Sequence, residues 1–155
     1  MMKLYAILLL GVIAGSWIID RKNIAATPVI IHAGNASPGQ PSPAASIARG
    51  KKVYETYCLS CHQVDGTGVP RLNPPLVKTS YVLGDKKVLI GVVLNGLDLP
   101  IEIDGDTFSN VMASHDYLKD LEIADVLTYV RNSFGNKASA VTPAEVTAVR
   151  AAKKK

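Results

Sequence analysis

The chain has 155 residues, of which 48% are hydrophobic and 19% charged, enough for one packed domain and too apolar for a disordered chain. Two cysteines cannot make a disulfide scaffold, and 6% aromatic residues argue against a protein that stacks on single-stranded bases. The net charge is +4, but residues 46–135 carry −2, and the excess of basic residues lies outside them, notably at Lys153, Lys154 and Lys155. No nucleic-acid partner is expected, because such a partner needs its basic patch on the folded domain.

Leu4 to Ile19 is a run without a charge, preceded by Lys3 and followed by Asp20, Arg21 and Lys22. Its length falls between a signal-peptide core of about 7–15 residues and a membrane span of roughly 17–25. Residues 1–22 are therefore read as a signal anchor or signal peptide, with cleavage after Ser16 as the processed alternative. Residues 23–45, rich in Pro, Ala and Ser, read as an extended linker that cannot build a core. A long tether favours an anchor that stays in the membrane. His32 falls in this linker and reads as a solvated side chain.

The folded domain is expected over 46–135. Ile47, Gly50, Val53, Tyr54 and Tyr57 recur at helical spacing and lead into Cys58-Leu59-Ser60-Cys61-His62. A thioredoxin-like dithiol needs a βαβ setting, and no strand signal precedes this motif. A structural zinc site needs four ligands, and there is no third cysteine. The spacing fits covalent attachment of one c-type haem, with the thiols of Cys58 and Cys61 adding to its two vinyl groups and His62 as proximal ligand.

Further along, Asp85 predicts the cap of a second helix ending at Asn95-Gly96. Leu99–Ile103, Asp104-Gly105 and Asp106–Phe108 predict a hairpin with a two-residue turn. Met112 lies in the polar stretch 109–115 and is the only methionine besides Met1 and Met2, which makes it the favoured sixth ligand. His115 is the rival, and an open distal site is a third possibility. A third helix is predicted from Leu118 to Ser133, stopped by Gly135. Ile123, Val126, Leu127 and Val130 form one apolar face, and Leu118, Leu121, Ala124 and Thr128 a second, so this helix should be covered on two sides. Thr142-Pro143-Ala144-Glu145 is a capping box, so residues 136–155 should hold a short fourth helix and a basic tail.

Over roughly residues 46–135 the chain resembles the class I, mono-haem cytochromes c. Besides the Cys-x-x-Cys-His motif, the resemblance rests on Gly50, Tyr54, Asn73-Pro74-Pro75-Leu76 and Met112, with Ala113 in place of a frequent proline. It implies an all-α fold, three main helices around one haem with a small hairpin, in which Gly50 and Tyr54 meet Val126 and Tyr129. By the same resemblance the Pro74 carbonyl accepts from the His62 ring, Leu76 packs on the haem, and Met112 is the distal ligand. The stretch Leu118–Asn136 is similar to cytochrome subunits of membrane-bound bacterial dehydrogenases, reductases and oxidases. The resemblance thus implies one-electron transfer with redox partner proteins and no catalysis by the chain itself. A small-ligand sensor or catalytic haem protein with an open site is the alternative. Together with the N-terminal segment, this places the haem domain on the periplasmic face of a bacterial inner membrane, or free in the periplasm if the segment is cleaved.

Overall fold

The computed structural model describes residues 42–98 and 100–152. The expected membrane segment, most of the linker and the terminal lysines lie outside the described residues. Among the described residues no helix is long and apolar enough to cross a membrane.

The first helix, α1, spans Pro43–Tyr57 and so begins inside the stretch read as linker. Ser42 is extended and its hydroxyl accepts from the Ala45 amide at 3.3 Å, while Pro43 takes the first helical position, where no amide bond is lost. The same Pro-Ala-Ala that suits a linker also suits a first turn, because alanine is the best helix former. The buried stripe of α1 is Ser46, Gly50 and Tyr54, spaced by four.

Two short helices were not expected: α2, Leu59–His62, and α3, Ser80–Leu83. A single turn carries too few residues to show a period. The next helix, α4, is Lys86–Asn95, with the Asp85 carboxylate accepting from the Lys87 amide at 2.7 Å as its cap residue predicts. Strands β1, Ile101–Ile103, and β2, Asp106–Phe108, pair antiparallel with Ile101 opposite Phe108. Asp104 and Gly105 turn between them with φ of 54° and 92°, as a two-residue hairpin requires.

Helix α5 spans Asp120–Asn132. It starts two residues after the expected Leu118, where the Glu122 carboxylate accepts from the Lys119 amide at 2.8 Å. The expected second face needs one correction. Leu118, Ala124 and Thr128 are buried, but Leu121 is 42% exposed. Ile123 through Thr128 are all buried in succession, so α5 is enclosed around most of its girth.

The closest helix crossing is between α1 and α5. A Cβ at Gly50 would stand 2.0 Å from the Asp125 carbonyl oxygen and 2.8 Å from the Tyr129 Cβ, so only glycine allows this approach. Tyr54 meets Tyr129 and Phe134 with ring centroids 5.4 Å apart in each case. Asp125 and Tyr129 stand nearest Gly50, and Val126 shares one buried cluster with Tyr54 and also lines the cavity described below. The Asp125 carboxylate is buried and is satisfied by the Ser46 hydroxyl and by Arg49 at 2.5 and 2.8 Å.

Helix α6, Pro143–Ala152, continues the same core rather than forming an appendage beyond residue 135. Val141 and Val146 belong to one buried cluster with Ile90, Leu94 and Val126. Burying each such side chain contributes about 1.5–3 kcal/mol. Glu145 completes the expected capping box on Thr142 and also accepts from Lys86 at 2.6 Å, which ties α6 to α4. The result is a mostly helical domain with one two-stranded antiparallel sheet.

Candidate functional site

Cys58 closes α1 by donating its amide to the Tyr54 carbonyl at 2.9 Å. Its own carbonyl then accepts from the amides of Cys61 and His62, at 3.2 and 2.9 Å, so the chain runs on into α2. Residues three and four apart share one helix face, and this turn sets Cys58, Cys61 and His62 along one wall. Tyr54 fixes the exit of the turn by donating its hydroxyl to the Gln63 carbonyl at 2.6 Å.

His62 is only 9% exposed, and its Nδ1 lies 3.0 Å from the Pro74 carbonyl oxygen. A carbonyl can only accept, so Nδ1 carries the proton and Nε2 keeps its lone pair. Burial pushes the His62 pKa below the ordinary value, against the opposing pull of the Pro74 bond, and His115 nearby lowers it further. The imidazole is thereby held neutral, which is the form that binds a metal.

The loop that delivers Pro74 is tied down from several sides. Gly68, at φ 68°, donates to the His62 carbonyl at 3.1 Å, and a Cβ there would stand 2.6 Å from the Pro74 oxygen. Leu76 donates to Gly66 at 2.7 Å. From the far side, the buried Asn136 donates to the carbonyls of Leu76 and Val130, at 2.8 and 2.7 Å, and accepts from the Lys78 amide at 2.7 Å. The sequence reading missed Asn136 and Gly68. An asparagine after a helix stop and a glycine in a loop are common, and only the fold shows what these two touch.

Burial, with Cys61 as a second cause, pushes the Cys58 thiol up to about 11. A thiol so poorly ionised is a weak redox nucleophile, which counts against a dithiol site. Among the described residues no group of three or more His, Cys, Asp or Glu converges as a metal cluster.

All six residues singled out in the sequence (Cys58, Cys61, His62, Pro74, Leu76 and Met112) line one cavity of about 300 Å3. Its other walls are mostly apolar, among them Val82 of α3, Leu89 and Val93 of α4, Ile101 of β1, and Leu127 and Val130 of α5. Met112 is half-buried and its backbone pairs with Leu97 through two hydrogen bonds of 2.9 Å. His115 also lines the cavity, and its Nδ1 is buried without a hydrogen-bond partner. The size falls at the lower end of cofactor sites, about 300–1,000 Å3. Two thiols and a neutral imidazole at one edge of an apolar slot fit a flat, largely apolar macrocycle carrying an iron. His115, in the wall of that slot, carries a buried nitrogen without a hydrogen-bond partner.

The family model described as cytochrome c matches residues 47–134. Cytochrome c-552 of Thermus thermophilus is 40% identical over 93 residues, which cover 57% of this chain and 70% of that protein. The cytochrome c subunit of alcohol dehydrogenase (quinone) from Gluconacetobacter polyoxogenes is 37% identical over 106 residues, 65% of this chain and 22% of that one. The gluconate 2-dehydrogenase cytochrome c subunit of Pantoea cypripedii is 35% identical over 104 residues, 65% of this chain and 24% of that one. The matched region is thus most of the Thermus protein but only about a fifth to a quarter of the dehydrogenase subunits. Taken with the cavity and its paired thiols, this match places the chain in the cytochrome c family, as an electron-transfer protein with haem c covalently attached through Cys58 and Cys61.

Proposed function

We propose that the domain transfers single electrons with His62 and Met112 as the two axial ligands, as a carrier or subunit of a membrane-bound respiratory or dehydrogenase complex. The observation that carries this reading is that His62, its Nδ1 committed to Pro74, shares one cavity with Met112. Bound haem supplies one-electron exchange between ferric and ferrous iron. The chain's own residues set the conditions. The Pro74 carbonyl holds the tautomer in which Nε2 faces the cavity and makes it more basic. The Met112 thioether favours the ferrous state and raises the potential relative to a second imidazole. Leu76, Val82 and Leu127 keep water from the slot. Cys61 is exposed, so the attached edge is the part nearest to a docking partner.

The relatives that are cytochrome c subunits of quinone alcohol dehydrogenase and gluconate dehydrogenase support a redox enzyme as partner. The uncharged run Leu4–Ile19 would anchor the chain in the inner membrane with the haem domain in the periplasm. Cleavage after Ser16 would give a soluble periplasmic carrier instead. The test is an optical redox titration of the purified protein together with carbon monoxide added to its ferrous form. A reversible one-electron transition without carbon monoxide binding is expected. Rapid carbon monoxide binding would overturn this reading in favour of an open-site sensor or catalyst.

A further inference from the structure

His115 differs from the other buried polar groups of the domain. Asp125, Thr128, Arg131 and Asn136 each have hydrogen-bond partners within the fold. The Nδ1 atom of His115 is buried and has none. A buried polar atom left unsatisfied destabilises a fold, so an apolar side chain would serve packing better here. His115 instead lines the same cavity as His62 and Met112.

The cavity offers few other groups that can bind a haem iron. Its cysteines form the thioether links, and no lysine lines it. Tyr57 and Tyr81 line it too, but a phenol binds iron well only as phenolate, and its ordinary pKa is about 10. Asn73 and Asn110 line it as well, but a neutral amide oxygen is a weak ligand beside imidazole or thioether, so the strong donors left at neutral pH are His62, Met112 and His115. Met112 and His115 are three residues apart in a stretch outside any helix or strand, and Val111 and Tyr117 beside them are 66% and 64% exposed. The His115 amide is held by the Val93 carbonyl at 2.9 Å, which keeps its backbone beside the cavity wall while the ring has no polar partner to surrender.

We propose that His115 is a reserve axial ligand: when the Met112 sulfur is removed or displaced, the His115 imidazole takes its coordination position. This rests on the His62/Met112 reading. The exchange turns a thioether-ligated centre into a bis-imidazole centre of lower potential and keeps it closed to small ligands.

The test uses the mature ferric protein and two variants, Met112→Leu and Met112→Leu with His115→Ala. In Met112→Leu the sulfur-to-iron charge-transfer band is expected to vanish while the spectrum stays low-spin, with the electron paramagnetic resonance signature of two imidazoles. In the double variant a high-spin spectrum is expected. An internal ligand that leaves a tenth or less of the sites open weakens added imidazole at least tenfold, so Met112→Leu should bind it at least tenfold more weakly than the double variant. A high-spin Met112→Leu protein, or equal imidazole affinities, overturns the reserve-ligand proposal and leaves Met112 as the resident ligand. A Met112→Leu spectrum identical to that of the unaltered protein overturns the Met112 assignment itself. Where the leucine blocks haem attachment, alkylation of Met112 by iodoacetate, with loss of iodide, makes the same comparison in mature unaltered and His115→Ala proteins.

Discussion

On the His62 side of the cavity the ring itself is held, by the Pro74 carbonyl, whereas on the Met112 side the bonds fall on the backbone of residues 109–115, to Arg71, Leu72, Leu97 and Val93, and on Ser114, to Leu94. Pro74 is held by the close approach of Gly68, Leu76 by Gly66, and the whole loop by Asn136 reaching from the end of α5. The difference follows from what each side must do. The proximal imidazole needs one tautomer and one orientation, which requires a rigid acceptor. The distal thioether needs neither a tautomer nor a hydrogen bond on its sulfur, so holding the backbone of its loop suffices. Substitutions that move the Pro74 carbonyl should therefore act through the His62 ring, and substitutions of Met112 itself on the spectrum and potential.

The largest expected effect breaks both sides at once. Cys58→Ser with Cys61→Ser should release its haem into acidified acetone and leave an apolar cavity of about 300 Å3. Exposing that apolar lining to water should cost several kcal/mol, on the order of the whole stability of a domain. Circular dichroism should show the haem-free protein largely unfolded at 37 °C. Retention of haem by this variant would contradict covalent attachment.

Gly68→Ala comes next, at about 3 kcal/mol, because it adds a Cβ against the Pro74 oxygen and strains a left-handed backbone. Denaturant unfolding of the mature protein measures it. Asn136→Ala removes three hydrogen bonds that anchor the same loop and should cost about 2 kcal/mol by the same assay. On the distal side, Ser114→Ala removes the hydroxyl bond to the Leu94 carbonyl at 2.8 Å and should cost only about 1 kcal/mol. A Ser114→Ala cost equal to that of Gly68→Ala would overturn this ranking.

The smallest effect lies away from the cavity. Burial alone would raise the Glu145 pKa, but the bonds from Lys86 and Thr142 outweigh it and hold the carboxyl below the usual carboxylate range. A depressed folded pKa means stability that is fully present above the unfolded value, about 4.3, and is lost as pH falls through the folded value. Lys86→Ala should therefore lower stability by less than about 1 kcal/mol at pH 7, with the deficit shrinking under acid conditions.

The features that could be read from the sequence obey local rules. The Asp85 cap, the Asp104-Gly105 turn and the Thr142–Glu145 box each concern residues within four positions of one another, and each stands where it was expected. The Cys58–His62 motif is local in the same sense. The start of α1 was hidden because Pro43-Ala44-Ala45 suits a linker and a first helical turn equally well. Leu121 was misplaced because period alone cannot say how far a buried face extends around α5. Asn136 could not be found at all, since its partners Leu76 and Lys78 lie about 60 residues away. What was illegible is the long-range bracing of the proximal loop, which fixes the His62 ring.

The most direct test of the central claim, that Met112 and a His62 ring fixed by Pro74 hold the iron from opposite walls of the cavity, is near-infrared magnetic circular dichroism of the unaltered ferric protein. A band at the energy of imidazole–thioether ligation is expected. A band of bis-imidazole ligation would make His115 the resident ligand, and a high-spin spectrum would mean an open distal site, so either result contradicts the claim.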